Sequence, residues 1–110
     1  QQPLAKTCFS ACGLDTFRDP LRATGRRQIL LAGIESHICV YQTARDLLDA
    51  GYHVEVVADA VSSRTAENGA LGLARMAQAG AEITGVEMCL FELLQQAGSA
   101  EFKKIATLVK

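Results

Sequence analysis

Aromatic residues and long apolar runs are scarce in this sequence of 110 residues. It has no Trp, and only 5% of its residues are aromatic, whereas 49% are hydrophobic. The core must therefore be built from Leu, Ile, Val and Ala. No apolar run approaches the roughly 18 residues of a membrane span, and no secretory signal is visible. We expect a cytoplasmic protein with no membrane partner.

The sequence also lacks an excess of charge of either sign. Lys and Arg number 11 against 12 Asp and Glu, which gives a formal net charge of -1. Nucleic acids and anionic membranes bind surfaces on which positive charge is concentrated, whereas the basic residues here are scattered along the chain. The charge pattern therefore argues against nucleic acid as a partner.

Motifs for metals and nucleotides are missing too. The cysteines, Cys8, Cys12, Cys39 and Cys89, form no C-x2-C pair, and no H-x3-5-H pair accompanies them, so the spacing of zinc sites is not met. No G-x-G-x-x-G or G-x4-G-K-[ST] motif follows a predicted strand, which argues against a nucleotide-binding domain. We expect no metal and no cofactor, and we expect Cys8, Cys12 and Cys89 to be structural thiols.

Strand and helix patterns alternate three times along the chain. Residues 28–34, QILLAGI, carry apolar groups on both faces and predict a central strand of a parallel sheet. Two further strands and five helices are predicted: strands at 54–58 and 81–84, and helices at 14–24, 39–50, 67–79, 88–97 and after Ser99. The alternation predicts an α/β fold with helices on both faces of a parallel sheet. Because a central strand needs two neighbours, we also expect a strand from a preceding segment or another polypeptide.

Local signals mark where three of these helices begin. Asp19 and Pro20 fit an N-cap and the first helical position. Thr84 and Glu87 have the spacing of a capping box, and Ser99 fits the N-cap of the last helix.

The stretch GIESHICVYQTARDLL, residues 33–48, changes from a strand pattern to a helix pattern at its middle. Cys39 lies in the first turn of that helix, at the sheet edge where functional groups gather. Unpaired N–H groups and the helix dipole favour an anion there and predict a reactive thiolate, and they can also stabilise an oxyanion. A small cysteine that only packs in the core is the alternative, and the spacing alone leaves both open.

Four stretches resemble the isochorismatase-like cysteine hydrolases, and together they span nearly the whole chain. They are KTCFSAC (6–12), GIESHICVYQTARDLLDAGY (33–52), VVADAVSSR (56–64) and MAQAGAEITGVEMCLFELL (76–94). The tail FKKIATLVK resembles the subgroup called isochorismatase domain-containing proteins. The resemblance implies a Rossmann-like fold. It also implies hydrolysis of a small amide or related substrate through an Asp-Lys-Cys triad and an acyl-cysteine intermediate.

By this resemblance Cys39 is the nucleophile and Lys6 is the triad lysine. The family also implies a cis peptide bond between Ile34 and Glu35, with the backbone N–H groups of Glu35 and Cys39 as the oxyanion hole. Phe9 is a candidate pocket residue because it lies near the lysine. Since the family's members generally assemble, a homo-oligomer is expected.

The sequence departs from the family in one respect: the triad aspartate lies in a motif resembling DMQ, which is absent here. We therefore interpret residues 1–110 as the C-terminal portion of a single domain whose N-terminal segment comes from the same or another chain. Asp59 at a strand end could replace the base, although such residues more often cap the following turn. A catalytically silent binding or scaffolding protein is the alternative function.

Four further polar residues lie near these motifs. His37, two residues before Cys39, is at most a pocket residue, because adjacent residues on a turn seldom face one another. Ser63 and Arg64, together with Ser62, are expected to cap the next helix rather than to bind phosphate.

Overall fold

The computed structural model describes residues 2–110, and its strands and helices alternate along the chain. The strands are β1 (Gln28–Ile34), β2 (His53–Ser62) and β3 (Glu82–Thr84), and the α-helices are α1 (Asp15–Ala23), α2 (Tyr41–Asp49), α3 (Ala66–Ala79), α4 (Val86–Leu94) and α5 (Ala100–Leu108). A 3-10 turn, Ala11–Gly13, precedes α1, and a π-helical turn, Ser36–Val40, joins β1 to α2. Within the described range, no helix has the length and apolar character needed to cross a membrane.

The three strands form one parallel sheet in the order β1-β2-β3. Val54 and Val56 of β2 face α2 and α3, whereas Glu55, between them, lies near Leu93 of α4. Successive strand residues point to opposite faces of a sheet, so helices cover both faces. The predicted Rossmann-like α/β fold is confirmed.

The core lies between β2 and the helices α2 and α3. Val54 and Val56 are almost fully buried against Leu47 of α2 and Met76 of α3. Full burial of such a side chain stabilises the fold by about 1.5–3 kcal/mol. Val40, the last residue of the π-helical turn, belongs to the same cluster, so the turn is anchored directly on the core.

The pairing of β1 with β2 shifts near Gly33. Leu31 pairs with Val56 and Gly33 pairs with Val61, so β1 advances by two residues where β2 advances by five. Gly33 has a φ of 121°, a backbone conformation that favours glycine. The shift sets Ile34 beside Ser62, and the residues that follow β2 therefore pass close to the π-helical turn.

The first strand is less enclosed than its sequence predicts. Ile29 and Leu31 pack against the core, but Leu30 is 54% and Ile34 is 72% exposed. Within residues 2–110, β1 is an edge strand of the sheet rather than a central one. A further strand beside β1, from outside the described residues, stays a prediction.

The helix predicted at 14–24 is present as α1, but the assignment of Asp19 and Pro20 to its N-cap and first position is wrong. The helix begins at Asp15, and Pro20 lies inside it. Pro cannot donate the helical backbone hydrogen bond, yet Phe17 and Leu21 of the same helix pack against the core. This burial outweighs one lost hydrogen bond on an exposed helix.

The capping box of Thr84 and Glu87 is also wrong, because Thr84 is a buried residue at the end of β3 and Gly85 is the N-cap of α4. A residue distant in sequence supplies the cap instead. The Asp59 carboxylate accepts a hydrogen bond from the Val86 N–H at 2.8 Å.

The starts of α3 and α5 are capped by hydroxyl groups. Thr65, not the Ser62–Arg64 segment, caps α3 by accepting a hydrogen bond from the Asn68 N–H at 3.1 Å. Ser99 caps α5, as predicted, through a 3.0 Å hydrogen bond from the Phe102 N–H.

Candidate active site

Cys39 lies half-buried on the π-helical turn that directly follows β1. The carbonyl of Glu35 accepts hydrogen bonds from the N–H groups of Ile38 and Val40, both at 3.1 Å. π-Helical turns are rare in proteins, and those that occur often lie at functional sites. The turn holds the cysteine at the carboxyl edge of the parallel sheet.

The Cys39 side chain lines an open depression of about 190 Å³. Its walls come from the end of β1, from Phe17 of α1, from Thr43 of α2 and from Lys6. Complete ligand pockets have volumes of roughly 300–1,000 Å³. The depression formed by the described residues is smaller than this range.

Lys6 reaches the same depression from the N-terminal segment. Its ammonium group donates hydrogen bonds to the carbonyls of Cys8 at 3.0 Å and Phe9 at 2.8 Å. An ammonium group has three donors, and these bonds within the described chain occupy two of them. Lys6 thus lines the depression that contains Cys39, while backbone carbonyls hold its ammonium group.

Glu35, the residue after β1, is hydrogen-bonded to Arg64, which lies two residues after the end of β2. Its Oε2 atom accepts a hydrogen bond from the Arg64 backbone N–H at 2.8 Å and another from Arg64 Nε at 3.1 Å. The Glu35 side chain is 22% exposed and that of Arg64 is 74% exposed. The two bonds connect the start of the π-helical turn to the segment between β2 and α3.

His37 is directed toward the same segment, because its Nδ1 atom and the Ser63 hydroxyl share a 2.8 Å hydrogen bond. Phe9 is 58% exposed, and its carbonyl is engaged by Lys6. That Phe9 or His37 lines a substrate pocket stays a prediction. The aromatic side chain that lines the Cys39 depression is Phe17.

α3 contacts the π-helical turn at Gly72. A Cβ atom at this position would lie 2.7 Å from the backbone C and O atoms of Ser36 and 2.8 Å from the N atom of His37. Only glycine allows this approach. Ser36 is 1% exposed, and its hydroxyl has no hydrogen-bond partner among residues 2–110.

The peptide bond between Ile34 and Glu35 is cis. The N–H groups of Glu35 and Cys39 belong to one short segment at the end of β1. That these groups form an oxyanion hole stays a prediction, as do the roles of Cys39 as nucleophile and Lys6 as triad lysine.

The other candidates have structural contacts. Asp59 caps α4 rather than the turn that follows β2. Cys8, Cys12 and Cys89 are half-buried free thiols. Burial raises the pKa of the Cys12 thiol and the negative charge of Asp46 adds to this increase, although a hydrogen bond and a nearby arginine oppose it.

Sequence reasoning missed Arg64 and Gly72 as residues that contact the turn. Arg64 follows the strand in VVADAVSSR, but only the register shift at Gly33 brings it beside Glu35. For Gly72 a signal existed, because a glycine inside a helix is unfavourable and indicates a close approach.

The chain matches the family model described as Isochorismatase domain over residues 1–88. It is 54% identical over 85 residues to the "Secreted isochorismatase effector Isc1" of Phytophthora sojae, a match that covers 77% of this chain and 40% of the relative. It is 41% identical over 110 residues to "Isochorismatase domain-containing protein 2" of Homo sapiens, covering 99% of this chain and 53% of the relative. The chain therefore spans about half the length of these curated relatives or less.

Three solved structures share the fold. The "MAR1 Ribonuclease" of Caenorhabditis elegans has 38% identity and a TM-score of 0.84, and the match covers 94% of this chain and 53% of that one. The YcaC gene product of Escherichia coli, described as an octameric hydrolase of unknown specificity, has 25% identity and a TM-score of 0.86 over 92% of this chain and 50% of that one. The nicotinamidase of Staphylococcus aureus has 28% identity and a TM-score of 0.68 over 72% of this chain and 50% of that one.

Proposed function

Because this chain belongs to the isochorismatase domain family of hydrolases, we propose that it carries the nucleophile of a cysteine hydrolase that acts on a small amide or related substrate. The observation that carries the proposal is the shared depression of Cys39 and Lys6 at the carboxyl edge of the sheet. The nicotinamidase among the structural relatives supports an amide as the substrate.

In the proposed reaction the Cys39 sulfur attacks the carbonyl carbon and forms a C–S bond. The N–H groups of Glu35 and Cys39 stabilise the oxyanion, and the amine leaves with a proton as the C–N bond breaks. Water then attacks the thioester, the C–S bond breaks, and a carboxylic acid is released. Lys6, which lines the same depression, is the triad lysine of this proposal.

The proton of the thiol requires a base, which we assign to an aspartate outside this chain. Among residues 2–110, no hydrogen bond joins Cys39 to a carboxylate. The N-terminal segment that we expect beside β1 would bring this aspartate and complete the walls of the depression. The same observation favours the alternative, a binding or scaffolding member of the family without turnover.

The proposal is tested by acylation with p-nitrophenyl acetate, whose thiolysis releases coloured p-nitrophenolate. We expect one acetyl group per chain, located on Cys39 by peptide mass spectrometry. Cys39→Ser should abolish the fast phase of release, whereas Cys89→Ser, the matched control, should retain it. Acetylation of all four cysteines at equal rates would overturn the proposal and favour the binding protein.

The partners follow from the family. We propose a homo-oligomer, which the octameric YcaC relative supports, and a cytoplasmic location. The name of the Phytophthora relative, a secreted effector, is a reason to test that location directly by fractionation. The ribonuclease name of the Caenorhabditis relative does not extend to a proposal here, because the net charge of -1 does not favour RNA.

A further inference from the structure

The segment between β2 and α3 contacts the turn that carries Cys39. We call residues 63 and 64 the clamp. Ser63 shares a 2.8 Å hydrogen bond with His37, and Arg64 donates two hydrogen bonds to Glu35. These contacts join positions that are 26 and 29 residues apart in sequence.

The Glu35 carboxylate is the centre of this contact. It is the more buried partner, with 22% of its side chain exposed, and both of its hydrogen bonds from Arg64 end on the same atom, Oε2. Arg64 is 74% exposed, so solvent screens most of the attraction between the charges. The shorter bond comes from the backbone N–H, which fixes geometry whatever the side chain does.

The clamp is one of several contacts that restrain this segment. The Glu35 carbonyl accepts hydrogen bonds from the N–H groups of Ile38 and Val40, and α3 packs at Gly72 against the backbone of Ser36 and His37, the two residues that follow Glu35. The Glu35 side chain adds to these contacts a restraint on the orientation of the Glu35 peptide from the side of the segment between β2 and α3. Displacements of about 1 Å are enough to weaken a site that stabilises a transition state.

We propose that Glu35 and Arg64 are positioning residues for acyl transfer: their contact orients the backbone N–H groups that face the oxyanion. This inference rests on the proposed function, since it requires Cys39 to react through a tetrahedral intermediate. It assigns Glu35 a role for its side chain, in addition to the backbone role expected from the family.

Two reactions of the same sulfur separate positioning from reactivity. Acylation by p-nitrophenyl acetate passes through an oxyanion, whereas alkylation by iodoacetamide displaces iodide and forms none. A misplaced donor therefore slows acylation of Cys39 and leaves its alkylation unchanged. The quantity to measure is the ratio of the two rate constants, with both products located by peptide mass spectrometry.

We expect Glu35→Ala to lower this ratio about tenfold, less than the roughly 10²–10³-fold loss when an oxyanion donor is deleted. Arg64→Ala keeps the backbone N–H bond and should lower it only about threefold, as suits an exposed pair. Glu35→Gln keeps an acceptor oxygen and should recover most of the acylation rate. Glu92→Ala and Arg26→Ala, exposed matched controls, should leave the ratio unchanged.

The outcomes distinguish this inference from the proposed function. If Cys39 is acylated in the parent chain but the ratio is the same in Glu35→Ala, the positioning role is wrong and the nucleophile stands. If Cys39 is not acylated selectively in the parent chain, the proposed function fails first. If alkylation of Cys39 falls together with acylation, Glu35 is structural only, and the inference is overturned.

Discussion

The two glycines inside α3 should respond in opposite ways to alanine. At Gly69 the nearest atoms to an added Cβ are Ser63 Cβ at 3.8 Å and Ser63 Oγ at 4.0 Å, which are ordinary contacts. At Gly72 the added atom would meet backbone atoms of Ser36 at 2.7 Å. Backbone cannot move aside as a flexible side chain can, because Ser36 is the first residue of a turn that is anchored on the core through Val40.

The magnitude follows from two opposing effects. Alanine inside a helix is more stable than glycine by about 1 kcal/mol, which is the whole expected effect for Gly69→Ala. Overpacking costs about 1–3 kcal/mol, and in Gly72→Ala it acts against the same gain. We expect Gly72→Ala to be less stable than Gly69→Ala by about 1–3 kcal/mol, the cost of the overpacking alone.

Urea unfolding followed by far-ultraviolet circular dichroism measures this difference in the free energy of unfolding. The comparison holds when that free energy falls with urea concentration at the same slope in both variants. Iodoacetamide labelling of Cys39 provides a second readout, because a displaced turn changes the exposure of the thiol. Equal stabilisation by both substitutions would refute the close packing of α3 on the turn. A loss of stability in both variants would mean that an added Cβ at Gly69 clashes with Ser63.

Two further changes test contacts away from the turn. Asp59→Ala removes the acceptor for the Val86 N–H and should destabilise the protein by about 0.5–2 kcal/mol, whereas Asp59→Asn should retain most of the stability; urea midpoints that do not move for either variant would exclude the cap. For Cys12, whose pKa is raised in the folded chain, the folded state binds the thiol proton more tightly than the unfolded state. Its stabilising effect is present below the ordinary thiol pKa and is lost as the pH rises through the higher folded pKa. Alkylation of Cys12 should therefore have its midpoint at a higher pH in buffer than in concentrated urea, and identical midpoints would contradict this.

The sequence predicts β1 and β3 well because their signals are local, whereas β2, predicted at 54–58, extends over His53–Ser62. The apolar run of residues 28–34 coincides with β1, and Gly80 ends α3 in the left-handed conformation. Periodicity and glycine positions depend on neighbouring residues only. The class of fold followed from the order of these elements.

Contacts between distant residues limited the prediction. Asp59 caps a helix that begins 27 residues later, and no local pattern gives that pairing, so the capping box at Thr84 was preferred. Local rules favour Pro20 at a helix start, whereas the observed helix begins earlier, at Asp15, and packs Phe17 against the core. At the candidate site, Cys39 was recognisable from its strand-helix junction, but Arg64 was not, since its position depends on the register of β2.

The additional residues in β2 give the fold a constraint on chain length. If the register of β1 with β2 continued unchanged from Leu31, Ile34 would pair with Asp59. Because the register shifts near Gly33, Ile34 pairs with Ser62 instead. Residues 57–60 thereby serve two neighbours: Val57 pairs with Thr84 of β3, and Asp59 reaches α4. Deleting even one of these additional residues of β2 would separate Arg64 from Glu35 and also Asp59 from Val86. Insertions and deletions should consequently be tolerated at the tips of surface connections and rejected between residues 57 and 60.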